Sequence, residues 1–588
     1  MGIWRPIGGV AGGGEWVGHD PSERFPVYTR GNAGEVYPEV FTPLSFSVAA
    51  GAGEQAMRNV MVGSGLIRPH ELDDLPLTTA VGAGVFGGYA YLNLSIQRLA
   101  SARLPGGKAT DADVNYLGVG DPPPHEPLPG ERNLRATLAG CRYVWRLLQT
   151  TSLPSLAADQ QRVDRYLAAL PDPATATDDE LRHSVDDLVP LFAGLYEEHL
   201  RISFGAGFAV AVLSAMCDKG LGDPLLAVQL LGGLGEVDSA APSRAMWELS
   251  RRVLASPELT VAFDEGIDAL APRLDANAEG PLANFRAAFR RFLAEHGARG
   301  PNEWDTAFDT WETDPRLALT LIDRMRGADE SHDPSRQQER LAAEAAAVEA
   351  DCLARLARPA RPLFRRALRA ARLFSRGRER SKTTVVRAIH GARLQTQELA
   401  RRLAERSGGE RSDLWLVLED ELDAYVADPA SFAPVIAERR AQLALLAERE
   451  PPFFFSGQQP PLEEWALRDT PVDGATAGEV LSGLPGCPGV ARGRARVVTD
   501  PADPRGLTAG DVLIAPLTDP SWTPLFVPAE AVVVDVGAIM SHAIIVSREL
   551  GIPCVVSVTD ATKRIPDGAL VEVDGTSGTV TIVELSAD

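Results

Sequence analysis

Ala531-Val532-Val533-Val534-Asp535-Val536-Gly537-Ala538-Ile539-Met540-Ser541-His542-Ala543-Ile544-Ile545-Val546-Ser547-Arg548-Glu549-Leu550-Gly551-Ile552-Pro553 is the stretch from which the rest of this chain is best read. Its first six residues are apolar and mostly β-branched, and predict a buried strand. The residues from His542 onward predict a short helix that Gly551 and Pro553 end. Ser541 is a good N-cap, which puts His542 at the first helical position, where free backbone N–H groups and the positive dipole end converge. An imidazole in that place is suited to carrying a phosphoryl group, because a helix N-terminus binds anions. Nine histidines occur in the chain, and this one stands in a context that is consistent at every level from strand to cap.

Working outward, the C-terminal hundred or so residues show a short period. Strands are predicted at Arg494–Val498, Val512–Ala515, Ala531–Val536, Cys554–Val558, Val571–Val573 and Val580–Val583, separated by turns such as Asp574-Gly575. Upstream, from about 130 to 450, the pattern is helical. Phe285, Phe289 and Phe292 recur at i, i+4 and i+7, Gln337 to Leu356 is rich in Ala and Glu, and no proline interrupts Leu363 to Asp428. Pro451-Pro452-Phe453-Phe454-Phe455, Gln458-Gln459-Pro460-Pro461 and Thr470 to Glu479 read as a linker. The first sixty or so residues are rich in Gly, Pro and aromatics and look irregular. Gly8 to Gly14 lacks the Gly-Lys-Ser/Thr ending of a phosphate loop and reads as a turn. The expected organisation is multidomain α+β: a mainly helical domain over 1–450, a linker over 451–478 and a small α/β domain over 479–588.

Composition narrows the function classes. A net charge of −22 and a pI near 5.0 argue against nucleic acid or anionic membrane as the main partner. No uninterrupted apolar stretch stands out as long enough to span a bilayer, no signal peptide is recognisable, and the expectation is a cytoplasmic chain. The five cysteines (Cys141, Cys217, Cys352, Cys487, Cys554) are dispersed without metal-ligand spacing, which fits reduced thiols and predicts no metal site. Lysines are few (Lys108, Lys219, Lys382, Lys563), so one at a chemically plausible place is informative. Arg378 and Lys382 sit at i and i+4 on one predicted helix face, within an arginine-rich run from Arg361 to Arg380. Two cations so placed can clamp a transferring phosphoryl group; a solvated basic helix is the alternative.

The segment around His542 resembles the phosphohistidine swivelling domain of phosphoenolpyruvate (PEP)-utilising enzymes and dikinases, whose signature is Gly-Gly-x-x-Ser-His followed by a helix and Leu-Gly-Ile-Pro. The likeness extends upstream through Gly486 to Gly493, Asp511 to Pro516 and Thr518-Asp519-Pro520-Ser521-Trp522-Thr523-Pro524-Leu525. It departs at Ala538, where the family has its second glycine, and at Val536, where threonine is common. The helical body is similar to the substrate domain of rifampin phosphotransferase-type and phenol-phosphorylating relatives. That likeness rests on Arg378-Glu379-Arg380-Ser381-Lys382, Gly297-Ala298-Arg299-Gly300-Pro301-Asn302-Glu303-Trp304-Asp305, Gly31 to Val36 with Thr42-Pro43-Leu44-Ser45, and Asp413 to Leu416 before Glu421. Ala298 replaces the family's histidine, so no role of that residue carries over.

The resemblance implies His542 as phosphoryl carrier with Ser541 beside it, Arg378 and Lys382 at the acceptor site, and Arg299, Glu303 and Asp305 lining it. Glu303 and Asp305 are candidates for taking the acceptor's proton, or for capping and ion-pairing roles. Residues after His542 are too few for the roughly 250-residue barrel that PEP enzymes append. No nucleotide fold is legible either, so ATP and Mg²⁺ are expected to act through a separate ATP-grasp subunit. The expected activity is transfer of a phosphoryl group to a small hydroxylated aromatic, a phenol or alkylphenol such as cresol, as in two-component phenylphosphate synthase-like systems. Two alternatives stand beside it: a component of a rifamycin-type antibiotic phosphotransferase, and a non-catalytic phosphohistidine carrier.

Overall fold

The computed structural model describes residues 18–116, 123–235, 238, 240–275, 279–501, 503, 506–537 and 541–586. The glycine-rich stretch 8–14 and the signature residues 538–540 lie outside them. Contacts group the chain into two compact units. One comprises Met1–Ala206, Trp304–Ala307 and Arg380–Thr470, the other Gly207–Glu303, Phe308–Glu379 and Pro471–Asp588. This grouping differs from the linear division drawn from the sequence, because its boundaries fall within two long helices, Asp178–Leu221 and Arg361–Ser407.

The first unit holds a sheet that the sequence conceals. Its four antiparallel strands run in the order Ala83–Phe86, Tyr89–Asn93, Val27–Thr29, Phe454–Ser456. The last strand comes from the proline-rich stretch read as a linker. Phe455 stacks on Tyr28 with centroids 5.1 Å apart, so ring burial fixes a strand that composition alone disguises. Beside the sheet, helix Pro43–Ser64 starts at Thr42, whose hydroxyl accepts from Ser45 N, and stops at Gly65 in the left-handed conformation, φ 74°.

Helix Asp178–Leu221 corrects one sequence expectation: it contains a window apolar and long enough, by length and composition, to cross a membrane. Its buried residues Ile202, Ala206, Ala209, Leu213 and Cys217 recur at i, i+4, i+7, i+11 and i+15, the stripe of a helix packed on one face.

In the second unit the expected phenylalanine ladder lies on helix Gly280–His296, with Phe285–Phe289 and Phe289–Phe292 each stacked at 6.0 Å. The expected Ala/Glu helix is Pro334–Arg355. The C-terminal region forms an eight-stranded sheet in the order Val480–Ser482, Thr579–Glu584, Leu570–Asp574, Val490–Val497, Asp511–Ala515, Ala531–Val534, Cys554–Val556, Leu484–Cys487. The four strands from Val490–Val497 to Cys554–Val556 are parallel and the remaining pairings antiparallel. All six expected strands are present within a few residues. Two more, Val480–Ser482 and Leu484–Cys487, escape a propensity reading because they are short and the second holds Pro485 and Gly486.

One hydrophobic core runs through this unit. Trp522, Leu525 and Phe526 from the sheet domain share it with Met246, Trp247, Phe292 and Met325 from the helices. Burial of side chains this large stabilises the arrangement by roughly 1.5–3 kcal/mol each.

Candidate active site

His542 opens helix His542–Leu550, downstream of strand Ala531–Val534. Ser541 is the N-cap: its backbone is extended and its Oγ accepts from Ile544 N at 3.4 Å. Gly551 ends the helix in the left-handed region, φ 65°. Gly537 packs closely on strand Cys554–Val556, since a Cβ there would meet Val556 Cβ at 2.8 Å.

The imidazole is 9% exposed, and both ring nitrogens face hydroxyls. Thr523 Oγ1 lies 3.1 Å from Nε2 and Thr518 Oγ1 lies 3.1 Å from Nδ1. A neutral imidazole has one N–H donor and one acceptor nitrogen, so one threonine accepts and the other donates. Their placement follows from the turn between them. Asp519 caps the short helix Pro520–Trp522, its Oδ1 accepting from Ser521 N at 2.7 Å and Ser521 Oγ at 2.6 Å. Phe526 meets the ring edge-on, centroids 6.0 Å apart. The result is a fixed, shielded imidazole at a helix N-terminus, where backbone donors favour an anion. Sequence reading quoted Thr518 and Thr523 within a motif but gave them no role; their separation, five residues across a capped turn, was the available signal.

The other predicted residues fall into three groups. Arg299 and Glu303 belong to the second unit, where Arg299 Nη1 donates to Glu303 Oε1 at 2.8 Å with both side chains at most 5% exposed. Asp305 belongs to the first unit, and its carboxylate accepts from Ser45 Oγ at 2.6 Å, Thr42 Oγ1 at 3.2 Å and Ala307 N at 2.9 Å. Its carbonyl accepts from the buried Arg393 Nη2 at 2.9 Å. Trp415 Nε1 donates to Thr306 Oγ1 at 2.9 Å, so the Thr42–Ser45, Trp304–Asp305 and Asp413–Leu416 segments meet in one place. Arg378 and Lys382 lie one turn apart on helix Arg361–Ser407, each half-buried, and Arg378 Nη1 is 3.4 Å from Glu379 Oε1. Arg299, Glu303 and Asp305 are thus anchored in hydrogen-bonded or ion-paired networks.

Around Trp304 the first unit gathers rings. Tyr37, Tyr196 and His199 have centroids 6.0, 5.9 and 6.0 Å from it. Burial, with Tyr196 and Asp305 nearby, holds the Tyr37 hydroxyl in its protonated form, and burial pushes Tyr196 up to about 12. His199 Nδ1 shares a hydrogen bond of 2.9 Å with Ser381 Oγ, the residue preceding Lys382. A small, mostly apolar cavity bordered by Leu44, Phe192, Trp304 and Ile389 adjoins these rings.

Residues 507–578, which carry His542 and both threonines, match the mobile domain of PEP-utilising enzymes, and 199–379 match the rifampicin phosphotransferase fourth domain. The chain thus carries two segments that match those of PEP-utilising enzymes and rifampicin phosphotransferases. Similar relatives include an uncharacterized protein of Mycobacterium tuberculosis, 30% identical over 96% of this chain and 62% of that protein. The prodigiosin synthesizing transferase PigC of Serratia marcescens is 28% identical over 96% of this chain and 64% of its own length. The rifampicin phosphotransferase of Bacillus subtilis is 30% identical over 59% of this chain and 42% of the enzyme. The chain therefore spans less than two thirds of the length of these relatives.

Proposed function

We propose that this chain is the phosphohistidine-bearing, acceptor-binding component of an ATP-dependent phosphotransferase. A separate ATP-grasp subunit splits ATP, with Mg²⁺, into AMP and phosphate and leaves a phosphoryl group on His542. The chain then passes it to a hydroxyl of a small apolar acceptor, a phenol or alkylphenol such as cresol, at the basic turn of Arg378 and Lys382. Dependence on ATP fits a cytoplasmic location.

The observation that carries this reading is the setting of His542: the first residue of a capped helix, its ring held between Thr518 and Thr523. Covalent catalysis of this type divides one difficult transfer into two easier ones, and the attacking imidazole must be neutral. Each transfer forms a bond to phosphorus as it breaks another. First N–P replaces the bond that held the transferred phosphoryl to AMP, while water takes the terminal phosphoryl group and releases it as phosphate; then O–P replaces N–P. Cations one helical turn apart suit the second step, which is mainly positioning and charge neutralisation. The aromatic cluster around Trp304 suits an apolar, ring-bearing acceptor.

A second reading, a component of a rifamycin-type antibiotic phosphotransferase, is favoured by the match of 199–379 to the rifampicin phosphotransferase fourth domain. One assay separates the two: the chain is purified with an ATP-grasp protein encoded beside it, and AMP release is followed with p-cresol and with rifampicin. Turnover on p-cresol alone supports the first reading and on rifampicin alone the second. A phosphorylated His542 that discharges to neither supports a carrier without an acceptor of its own. AMP formation that survives His542→Ala would overturn all three.

A further inference from the structure

Three helices of the first unit turn a face each towards the cavity beside Trp304. Helix Pro43–Ser64 brings Leu44 and Val48 at i and i+4, and helix Asp178–Leu221 brings Leu188 and Phe192 at the same spacing. Helix Arg361–Ser407 adds Ile389 and Ala392 at i and i+3. The hollow they border measures about 420 Å³, its open mouth included. That is at the small end of ligand pockets and suits a single ring.

Three hydroxyls interrupt this apolar wall, and each is engaged. Ser45 Oγ donates to Asp305 Oδ1 at 2.6 Å, and Thr396 Oγ1 donates to the Ala392 carbonyl at 3.0 Å. Thr306 Oγ1 accepts from Trp415 Nε1 at 2.9 Å. Trp304 differs from them. It is 6% exposed, and its indole N–H is buried without a hydrogen-bond partner among the described residues. Among the described residues that line the cavity, no other buried side-chain nitrogen or oxygen is unmet.

A buried donor left bare is costly, and native structures hold few. An ordered water is the usual remedy, but it keeps its place through about two to four polar partners, and this wall offers few. An apolar molecule with one accepting oxygen meets both demands, its hydrocarbon covering the wall and its oxygen capping the indole.

We propose that this cavity seats the acceptor and that the indole N–H of Trp304 donates to the acceptor's oxygen. Trp304 is then the residue by which the chain tells a phenol from a hydrocarbon of the same shape. This rests on the phosphotransferase reading above and gives it a binding site. The rings of Tyr37, Tyr196 and His199 pack against the indole, and His199 is hydrogen-bonded to Ser381, which precedes Lys382. The indole is thereby tied to the basic turn. A donor to a phenol oxygen also favours the phenolate, the better nucleophile.

The full chain, ¹⁵N-labelled at tryptophan, is titrated with p-cresol and with p-xylene, which carries a methyl in place of the hydroxyl. In wild type p-cresol should move one indole proton downfield, a signal missing from Trp304→Phe, and p-xylene should not. The ratio of p-cresol to p-xylene affinity should fall about tenfold in Trp304→Phe, the loss of one hydrogen bond. Ala392→Phe, which fills the cavity, should weaken both ligands. Circular dichroism checks the fold of each variant, and the comparison of the two ligands on wild type needs no variant. An indole unmoved by saturating p-cresol, or the same ratio in both proteins, would overturn the assignment and leave the donor to a water. Unweakened binding of both ligands to a folded Ala392→Phe would overturn it too, by placing the seat elsewhere. The same chain loaded at His542 with phosphoramidate reports p-cresol phosphate by ³¹P NMR. Transfer without the indole shift overturns the cavity's role alone. The indole shift without transfer supports the cavity as a phenol site while the transferase reading falls.

Discussion

Thr523 Oγ1 stands 3.1 Å from Nε2 of His542, on the side of the ring opposite Thr518. Two hydroxyls on two ring nitrogens select one tautomer, because only one nitrogen carries a proton in the neutral form. Thr523→Val removes one partner with little change in shape. The expected outcome is phosphorylation of His542 by phosphoramidate about tenfold slower, the equivalent of one lost hydrogen bond of roughly 1.4 kcal/mol. Nitrogen-15 NMR of the ring should then show a mixture of tautomers, whereas wild type shows one. An unchanged loading rate would mean that the threonine is a bystander.

The Arg299–Glu303 pair is a second place where structure and sequence point to different roles. If it is a buried support, removing one member leaves an uncompensated charge. Arg299→Met is expected to destabilise the chain by about 3–5 kcal/mol in urea unfolding, and Arg299→Met/Glu303→Leu to recover most of that. Were the pair instead part of the acceptor site, the double variant would fold well and lose acceptor binding.

Glu549 lies on the helix that His542 begins, 6% exposed, its Oε1 3.5 Å from Leu234 N. Desolvation raises its pKa from 4.5 to about 7, partly offset by that backbone contact. A folded-state pKa above the unfolded one means the folded state binds more protons between those values. Stability is then greatest below about pH 4.5 for this group and falls as pH rises towards 7, by about 3 kcal/mol in all. Glu549→Gln should abolish that decline, which urea midpoints at pH 5 and pH 8 would show.

His19 gives the opposite slope in the first unit. Its Nδ1 accepts from Val85 N at 3.1 Å, and burial, with Arg58 adding to the effect, lowers its pKa from 6.5 to about 4. Here the unfolded state binds more protons, so the stabilising contribution is complete above pH 6.5 and is lost as pH falls through 4. Amide exchange on the Ala83–Phe86 and Tyr89–Asn93 strands should accelerate on acidification in wild type and much less in His19→Gln. Equal acceleration in both would place acid sensitivity elsewhere.

What the sequence disclosed follows from how local each feature is. The Ser541 cap, the Gly551 stop and the strand Ala531–Val534 are set within a few residues, and all three were legible. So was the phenylalanine ladder, whose period is intrinsic to a helix. Strand Phe454–Ser456 pairs with Val27–Thr29 across more than four hundred residues, and nothing near Phe455 announces Tyr28. At the candidate site the company that the expected residues keep was not legible. Asp305 lies two positions from Glu303, yet its partners are Thr42 and Ser45, and the two carboxylates belong to different compact units. His199 escaped notice because its link to Ser381 joins residues far apart in the chain.

The core that Trp522, Leu525 and Phe526 share with Met246, Trp247 and Met325 sets a condition on any journey of the histidine. Lifting the sheet domain off these helices would strand a tryptophan, a leucine and a phenylalanine in water together with the helical faces they cover. A patch of that kind is an invitation to aggregate unless something greets it at once. Under the phosphotransfer we propose, a courier built this way would not drift between stations. It would step from one greasy berth directly into another, so the proposed loading surface would offer an apolar seat as well as a phosphate.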